Sequence, residues 1–519
     1  MKKTIFLLYS SFILSSSLSA QNFQWAQREG DDSNGYTLCT DNTGNSYVYG
    51  RIFMTTTIGG QSLDIANGEN FIAKYDNTGS AIWVKQLDSM EVSDLDCNST
   101  DLFVTGRFHT GASFAGTPVT GSGTASWDGY IARVSAGGTL DWIKTITNPV
   151  SYESANSVSI DNSGNIYVAA TYSGSSAMVG STTISGSASG GESMLLLKLA
   201  PDGSILWSKT ASANPGGSVE GNRIEVSNLG DIYVLSTADG DTVHYDGIPY
   251  FAGSYPAELL LHYNAAGMLM DMAEINHSYQ DNVTAMTVDA GGNVYTLQTN
   301  YLTSFTLSKF NAMLDTTWVT TDGGGGHLSV SDVEVTQTGE VIVAGYVGED
   351  ATFGGVNTVY NNGGQPGFLA YYTSGGSYSS LTEIPGTLYM GKIGMDALEN
   401  VYMTGTVADT ADFGAIELTT TGSDAMFLAK YGISTGIASA EKGSISVYPN
   451  PCAGKLSCSL EALQGASTVA LYNTLGEKVY EEAAATGLLQ IDLTGYEKGI
   501  YLLNVSNGGS LLTKKIVVN

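Results

Sequence analysis

An all-β fold built from one repeated unit is the expectation for this chain, and three observations carry it. The first is an octapeptide, Asp161-Asn-Ser-Gly-Asn-Ile-Tyr-Val168, that returns along the sequence. Near-copies run Asp41–Val48, Ser227–Val234 and Asp289–Tyr295, and weaker ones Cys97–Val104, Thr336–Val343 and Asp396–Met403. Aligned on Tyr47, Phe103, Tyr167, Tyr233, Tyr295, Ile342 and Tyr402, the steps are 56, 64, 66, 62, 47 and 60 residues. Self-similarity at a period of this order marks a repeat architecture. The second observation is composition: 64 Gly and 30 Tyr with only 14% charged residues, and no long helical periodicity, which suits strands and tight turns. The third is that each full repeat carries four strand signals. In the third repeat these are Ser157–Ile160, Asn165–Thr171, Met194–Leu199 and Ser204–Lys209.

Within that repeat the first two strands flank Asp-Asn-Ser-Gly, and the last two flank Ala200-Pro-Asp-Gly203, both turn-forming by composition. The closing hairpin recurs at Phe71–Trp83 and Tyr130–Trp142. A longer Gly, Ser and Thr-rich segment joins the second and third strands. Four antiparallel strands joined by adjacent hairpins are the blade of a β-propeller. The seventh unit stops after Asp424–Tyr431 without its Trp-bearing fourth strand, and Phe23-Gln-Trp-Ala-Gln27 supplies that pattern at the other end of the chain. The sequence therefore predicts a seven-bladed β-propeller over residues 21–432, closed by the N-terminal strand, which removes an exposed sheet edge. Trp25, Trp83, Trp142, Trp207 and Trp318 share the fourth-strand position and read as packing between blades. Trp127 lies outside the pattern and is the better candidate for a surface contact.

Residues 433–443 read as a polar linker. After it, strand signals at Ser444–Tyr448, Lys455–Leu460, Ser467–Tyr472, Lys478–Tyr480, Leu488–Leu493, Gly499–Val505 and Leu511–Val518 predict a small Ig-like β-sandwich over 444–519. At the other end, Lys2 and Lys3 precede an apolar stretch, Ile5–Leu14, and small residues up to Ala20. Residues 1–20 thus read as a signal peptide cleaved between Ala20 and Gln21. That run is too short to span a bilayer, and no later segment looks like a transmembrane helix. Formal net charge is −29, so phosphate backbones are repelled and nucleic acid is not an expected partner. Of four cysteines, Cys39 and Cys97 read as buried thiols. Cys452 and Cys458 lie close enough in sequence that pairing after export is open.

The tail resembles the type A C-terminal sorting domain of the type IX secretion system of Bacteroidota. The resemblance rests on Val447-Tyr448-Pro449-Asn450-Pro451, Leu471–Val479 with Gly476, Ile491–Gly495, Lys498–Val505 with Gly499 and Tyr501, and Lys514-Lys515-Ile-Val-Val518. It implies export through the periplasm, recognition of the tail by the type IX secretion machinery, and a secreted or outer-surface destination. The repeats resemble those of secreted bacterial β-propeller proteins, which implies architecture only. Leu199–Trp207 is also similar to the Trp-docking motif of quinoprotein propellers, which is structural there, so no cofactor is expected.

No constellation for catalysis or metal binding stands out. His109, His244, His262, His277 and His327 share no repeat position and form no His-Glu-x-x-His pair. Gly432–Gly436 matches Gly-x-Ser-x-Gly without its strand–turn–helix setting. Gly323–Gly326 lacks the Lys-Ser/Thr of a phosphate cradle. The Asp-Asn-Thr/Ser-Gly-Asn turns offer oxygen donors for calcium, but Cys97, Ser227 and Thr336 replace the Asp, so hairpin geometry explains them better. These features point to a non-enzymatic binding module for a polysaccharide or surface protein, with loops such as Gly121–Trp127 and Ser173–Gly191 as recognition segments. Two alternatives are a polysaccharide hydrolase or lyase using acidic residues on one face, and a structural interaction scaffold.

Overall fold

The structure is a computed structural model that describes residues 21–433 and 446–519, except 124–125, 149–151, 186–190, 215–216, 241, 254, 277–281, 302, 421, 449, 453, 460–466, 474–476, 485–487 and 508–509. The expected signal segment with Ala20, most of the linker, His277, Pro449 and Gly476 lie outside the described residues. Two compact units are present, one of Gln21–Gly432 and one containing Ile433–Asn519.

The first unit is made of antiparallel sheets whose strands pair in chain order. In the third repeat the strands are Glu153–Ile160, Ile166–Ser173, Glu192–Leu199 and Ile205–Ala213, longer than their sequence signals. The next three repeats each give a four-stranded sheet, beginning at Ser218–Val226, Asn282–Val288 and Leu328–Val335. The first two repeats merge into one sheet, because Ala81–Cys97 is a single strand that closes one repeat and opens the next. In the last repeat Gly386–Met395, Val401–Phe413 and Ala425–Ile433 are joined by the N-terminal strand Gln21–Glu29, which lies beside Ala425–Ile433. Buried tyrosines at the shared aromatic position, among them Tyr47, Tyr167, Tyr233, Tyr295 and Tyr402, sit in the cores.

The recurring turn is held by its own Asp. Asp161 Oδ1 accepts from the backbone N–H of Ser163 and Asn165, while Oδ2 accepts from Asn165 Nδ2 and the Tyr167 hydroxyl. Asp289 and Asp396 repeat that set. Carboxylate oxygens already taken by four donors hold a turn and have little left for a cation, which explains why Ser227 and Thr336 serve equally through their hydroxyls.

Two expectations are corrected. Cys39 and Cys97 are not thiols but a disulfide, with Cα atoms 6.0 Å apart. They lie on the first strands of adjacent repeats, where the side chains of facing strands meet. Cys452 and Cys458 are both free and buried. The second correction concerns the Gly, Ser and Thr-rich segments. Much of Ser173–Gly191 is a small hairpin, Ser176–Val179 with Thr182–Ser185, paired to the fourth strand of the preceding repeat through Ile146 and Val179. Related hairpins are Thr56–Ile58 with Gln61–Leu63, Val243–Tyr245 with Ile248–Tyr250, and Ala351–Phe353 with Asn357–Val359. Their inward residues, including Ile58, Leu63, Val179, Tyr245, Phe353 and Val359, are buried. Two consecutive positive φ angles at Gly59–Gly60 and Asp246–Gly247 give the turn that a two-residue hairpin requires, and Gly354–Gly355 opens a three-residue loop with the same sign of φ. The fifth repeat has Tyr301–Thr303 in that place, which accounts for its short step.

In the second unit a three-stranded sheet of Ser446–Tyr448, Lys455–Ser459 and Leu488–Asp492 and a four-stranded one of Lys478–Ala484, Ser467–Tyr472, Gly499–Asn507 and Ser510–Val518 share one core. Leu456, Cys458 and Ile491 meet Val469, Leu503, Val505 and Ile516 there.

Candidate functional site

One cavity is lined by the first strands of all the repeats: Leu38, Leu95, Val158, Glu225, Met286, Val333 and Ile393 each come from a different one. Its volume is about 610 Å³. A second cavity of about 590 Å³ is lined by Tyr36, Tyr49, Ser93, Thr284, Ser331 and Tyr389, and shares Arg223 and Lys392 with the first.

The strand register explains why two unlike cavities arise on the same strands. Opposite the aromatic position stand Cys39, Asp96, Ser159, Glu225, Thr287, Glu334 and Gly394. Two residues earlier come Thr37, Asp94, Ser157, Arg223, Ala285 and Asp332, with Lys392 in the last repeat. Immediately before this second level every first strand breaks register, between Gly35 and Thr37, Val92 and Asp94, Ala155 and Ser157, Gly221 and Arg223, Val283 and Ala285, Val330 and Asp332, and Met390 and Ile393. A bulge leaves one residue outside the ladder and re-aims it. The residues so released are Tyr36, Ser93, Asn156, Asn222, Thr284 and Ser331, with Gly391 beside Lys392. Five of these, Tyr36, Ser93, Thr284, Ser331 and Gly391, line the second cavity.

The carboxylates of the first cavity are bound into the fold. First strands of neighbouring repeats are not joined by a backbone ladder, so their facing N–H groups need other acceptors. Asp94 Oδ2 accepts from Ser157 Oγ at 2.6 Å and from Val158 N at 3.3 Å, and Oδ1 meets Lys392 Nζ at 3.1 Å. Asp96 Oδ2 accepts from Ile160 N, and Asp332 Oδ2 from Ile393 N. Ser157 and Ser159 pass the pattern on, accepting from Ile224 N and Val226 N. Burial works to raise the Asp94 carboxyl, but Lys392, Arg223 and the hydrogen bond from Ser157 outweigh it and hold the group below its ordinary value. Elsewhere burial wins. It pushes Asp96 up to about 7 against the hydrogen bonds from Ile160 and Cys97, and with Asp332 nearby it pushes Glu334 up to about 8. Burial with Asp96 and Asp94 close by drives Glu225 well above the carboxylate range, and burial also raises Asp332.

The fourth-strand tryptophans each contact the closing turn of the following repeat. Trp83 Nε1 donates to Ala136 O, Trp142 Nε1 to Pro201 O and Trp318 Nε1 to Ser374 O. Trp207 covers Gly267, where an added Cβ would lie 3.1 Å from the ring. Trp25, on the N-terminal strand, donates to Asn77 O in the first repeat. Trp127 is half-buried between His109, at 3.5 Å between ring centroids, and the Arg107 guanidinium, at 4.5 Å from its ring, so it is less available than its sequence position suggested. Among the described residues no cluster of His, Cys, Asp and Glu is arranged to hold a metal ion. Ser434 of the Gly432–Gly436 match lies outside the described residues.

In the second unit the tail motif fastens the last strand. Asn450 Nδ2 donates to Lys515 O at 2.7 Å and Asn450 Oδ1 accepts from Val517 N at 2.8 Å. Next to Pro451, Cys452 exchanges backbone hydrogen bonds with Val517 and Asn519. The Lys514 and Lys515 side chains and Tyr448 are exposed, whereas Tyr501 is buried with its hydroxyl on Glu497 O, two residues before Gly499.

Sequence reasoning found the first strands and the tail motif but not the bulge residues. Their signal was present as a register-aligned column, Tyr36, Ser93, Asn156, Asn222, Thr284 and Ser331, which is polar or aromatic in each of these repeats.

Comparison with known proteins gives one family match and distant structural likenesses. Residues 446–519 match the secretion system C-terminal sorting domain. No curated protein matches the chain. Among solved structures, a protein of unknown function from Bacteroides caccae is 14% identical, with 61% of this chain and 91% of that chain covered and a TM-score of 0.34. Quinohemoprotein alcohol dehydrogenase from Comamonas testosteroni is 10% identical over 84% and 79%, at 0.39. PorZ, described as an essential surface component of the type IX secretion system of Porphyromonas gingivalis, is 10% identical over 95% and 100%, at 0.19. Likeness at this level carries nothing about activity. No helix among the described residues is long and apolar enough to cross a membrane. The tail is what identifies the chain: residues 446–519 are a type IX secretion system C-terminal sorting domain, which marks the protein for export to the cell surface or beyond.

Proposed function

We propose that residues 21–432 form a seven-bladed β-propeller, closed by the N-terminal strand, that acts outside the cell as a non-enzymatic polysaccharide-binding module. Residues 1–20 are its signal peptide, 433–443 its linker and 444–519 its Ig-like sorting domain. Closure is supported by contacts between the ends: Trp25 reaches the first repeat's turn, and Met426 N of the last repeat donates to Ser33 Oγ of the first. The tryptophans serve as packing between successive blades, and Tyr448, Pro449, Asn450, Pro451, Gly476, Gly499, Tyr501, Lys514 and Lys515 belong to the surface or frame that the secretion machinery reads.

The observation that carries the binding reading is the column of bulge residues around the second cavity. Tyr36 and Tyr389 are each about two-fifths exposed, 43% and 41%, in a cavity whose lining also includes the hydroxyl residues Ser93, Thr284 and Ser331 and the cations Arg223 and Lys392. Exposed aromatic faces beside convergent polar groups suit sugar rings. Asp94, Asp96 and Asp332 lie in the other cavity, where they are engaged with neighbouring first strands.

The test is retention of the full exported chain on a panel of immobilised polysaccharides, scored together with release of reducing and unsaturated ends. Retention without new ends is expected. New ends overturn the reading in favour of a hydrolase or lyase, and absence of both favours a protein ligand or a scaffold role.

A further inference from the structure

Arg223 differs from the other cations named so far in that no hydrogen bond or close ion pair holds its head group. Lys392 spends its ammonium on Asp94 at 3.1 Å. Arg51, Arg107 and Arg133 are paired with Glu69, Glu91 and Asp101. Arg223 has no hydrogen bond or ion pair to any described residue, although it lines both cavities and is half-buried. Asp94 and Asp332 feel its charge but make no hydrogen bond to it: both Asp94 oxygens accept from other groups, and Asp332 Oδ2 accepts from Ile393 N. A guanidinium carries five N–H donors in a rigid fork that fits a carboxylate with two parallel hydrogen bonds. These donors face the water of the two cavities, so a ligand carboxylate can take them without breaking a bond within the fold.

The rest of the mouth fixes the size and kind of that ligand. Tyr36 lies against Tyr49 with ring centroids 5.7 Å apart, and Tyr389 meets Tyr346 edge-on at 5.3 Å, so both exposed rings are braced from behind. Thr284, Ser331 and Ser93 place hydroxyls on the same wall. One carboxylate, Asp424, also lines this cavity, but it is exposed at the rim, where water screens it.

We propose that Arg223 is the anchor for the carboxylate of a uronic acid residue in an acidic polysaccharide, whose ring lies against Tyr36 or Tyr389. This rests on the polysaccharide reading above and names the class of sugar that the mouth selects. The protein as a whole carries a formal charge of −29 and repels polyanions, so preference for an acidic polymer has to come from a local cationic contact of this kind.

The experiment compares polygalacturonate with its carboxyl-reduced derivative, the same backbone without charge, as probes for the full chain. Wild type is expected to bind the acidic polymer at least tenfold tighter than the reduced one. Arg223→Gln should remove that difference, weakening the acidic polymer by roughly 10- to 100-fold, as loss of a charge-assisted hydrogen-bond pair does, and leaving the reduced polymer unchanged. Arg223→Lys, which keeps the charge without the fork, should fall between, with an unaltered urea midpoint showing the fold intact. Tyr389→Ala should weaken both polymers alike. Equal binding of the two polymers by wild type, or an Arg223→Gln variant that still discriminates, overturns the anchor and leaves the polysaccharide reading standing. Binding of neither polymer overturns the anchor, and failure across the wider panel overturns the polysaccharide reading itself.

Discussion

Ser157 and Ser331 lie one position apart in the common repeat frame, yet one is built into the fold and the other faces the cavity. Ser157 is buried at the level after the bulge, donating to Asp94 and accepting from Ile224 N. Ser331 is the residue the bulge expels, half-exposed on the wall of the second cavity. Elsewhere the contrast is graded: Asn222, Thr284 and Ser331 bond within their own repeats, to Thr237, Thr299 and Ala344, whereas Asn156 also donates to Gly221 O of the next first strand. The extra residue moves Ser331 out of the row that satisfies the neighbouring backbone, and in the proposed binding role it is such a residue that is available to a ligand.

The largest expected effect comes from breaking the ladder level at Asp94. Asp94→Ala removes the acceptor of Ser157 and Val158 N and leaves Lys392, 298 residues away in the chain, without its partner. Breaking one half of a buried pair costs about 3–5 kcal/mol, so the urea midpoint should drop sharply. A Lys392→Met, Asp94→Leu double variant should recover part of the loss. If Asp94→Ala leaves the midpoint unchanged, the ladder level does not hold the repeats together.

Next is the Cys39–Cys97 bond, which staples the first two repeats across 58 residues of chain. Losing a loop constraint of this length costs roughly 2–4 kcal/mol, so Cys39→Ala with Cys97→Ala should lower the midpoint by a smaller amount. In the unfolded, unreduced protein a thiol reagent should count two groups, Cys452 and Cys458, and four after reduction. Four before reduction would remove the staple. In the folded state Cys458 should react slowly, since burial pushes its thiol up to about 11.

These two sites also show what the sequence made legible. The repeat frame, the hairpins and the missing fourth strand could be read because each rests on local turn chemistry: Asp161, Gly164 and Asn165 determine their turn with no help from outside the repeat. The Asp94–Lys392 contact and the Cys39–Cys97 pairing could not be read, because they join first strands of different repeats and depend on how those strands face one another. The small hairpins could not be read as strands because Gly, Ser and Thr dominate them. Their buried Ile58, Val179, Phe353 and Phe413 fall at a fixed offset before the turn, but only the structure shows that this offset faces inward. In the tail, Asn450 was legible as a motif residue, and its grip on Lys515 and Val517 supplies the reason.

A smaller effect concerns pH. Glu334, pushed up to about 8, and Asp96, to about 7, keep protons in the first cavity of the folded protein that the unfolded chain releases nearer pH 4. Their contribution is therefore complete below about pH 4 and is lost as pH rises through 7 and 8. Asp94, held low, has the opposite sign: its contribution is present above about pH 4 and is lost on acidification. The urea midpoint should accordingly decline from pH 6 to pH 9, and Glu334→Gln should make that decline shallower. It should not abolish it, because Glu153 and Glu220, raised to about 8 and about 7, lie outside this level and act in the same direction. An identical decline in wild type and Glu334→Gln would mean that Glu334 ionises freely in the folded protein.

The smallest stability effect, and the sharpest form of the contrast, is at the bulge. Ser331→Ala gives up one hydrogen bond, from Ser331 Oγ to Ala344 O at 3.2 Å, on a half-exposed side chain. Its cost in stability should stay within about 0.5 kcal/mol. Ser157→Ala deletes a buried hydroxyl that donates to one strand and accepts from another, and should cost about 1–3 kcal/mol. The order should reverse for ligand: Ser331→Ala weakens polysaccharide retention severalfold, and Ser157→Ala leaves it near wild type as long as the protein remains folded. Retention measured beside urea midpoints on the same two variants decides the matter. If both properties move together in both, the bulge does not divide the strand into a binding level and a structural one, and the mouth is only the surface end of a continuous core.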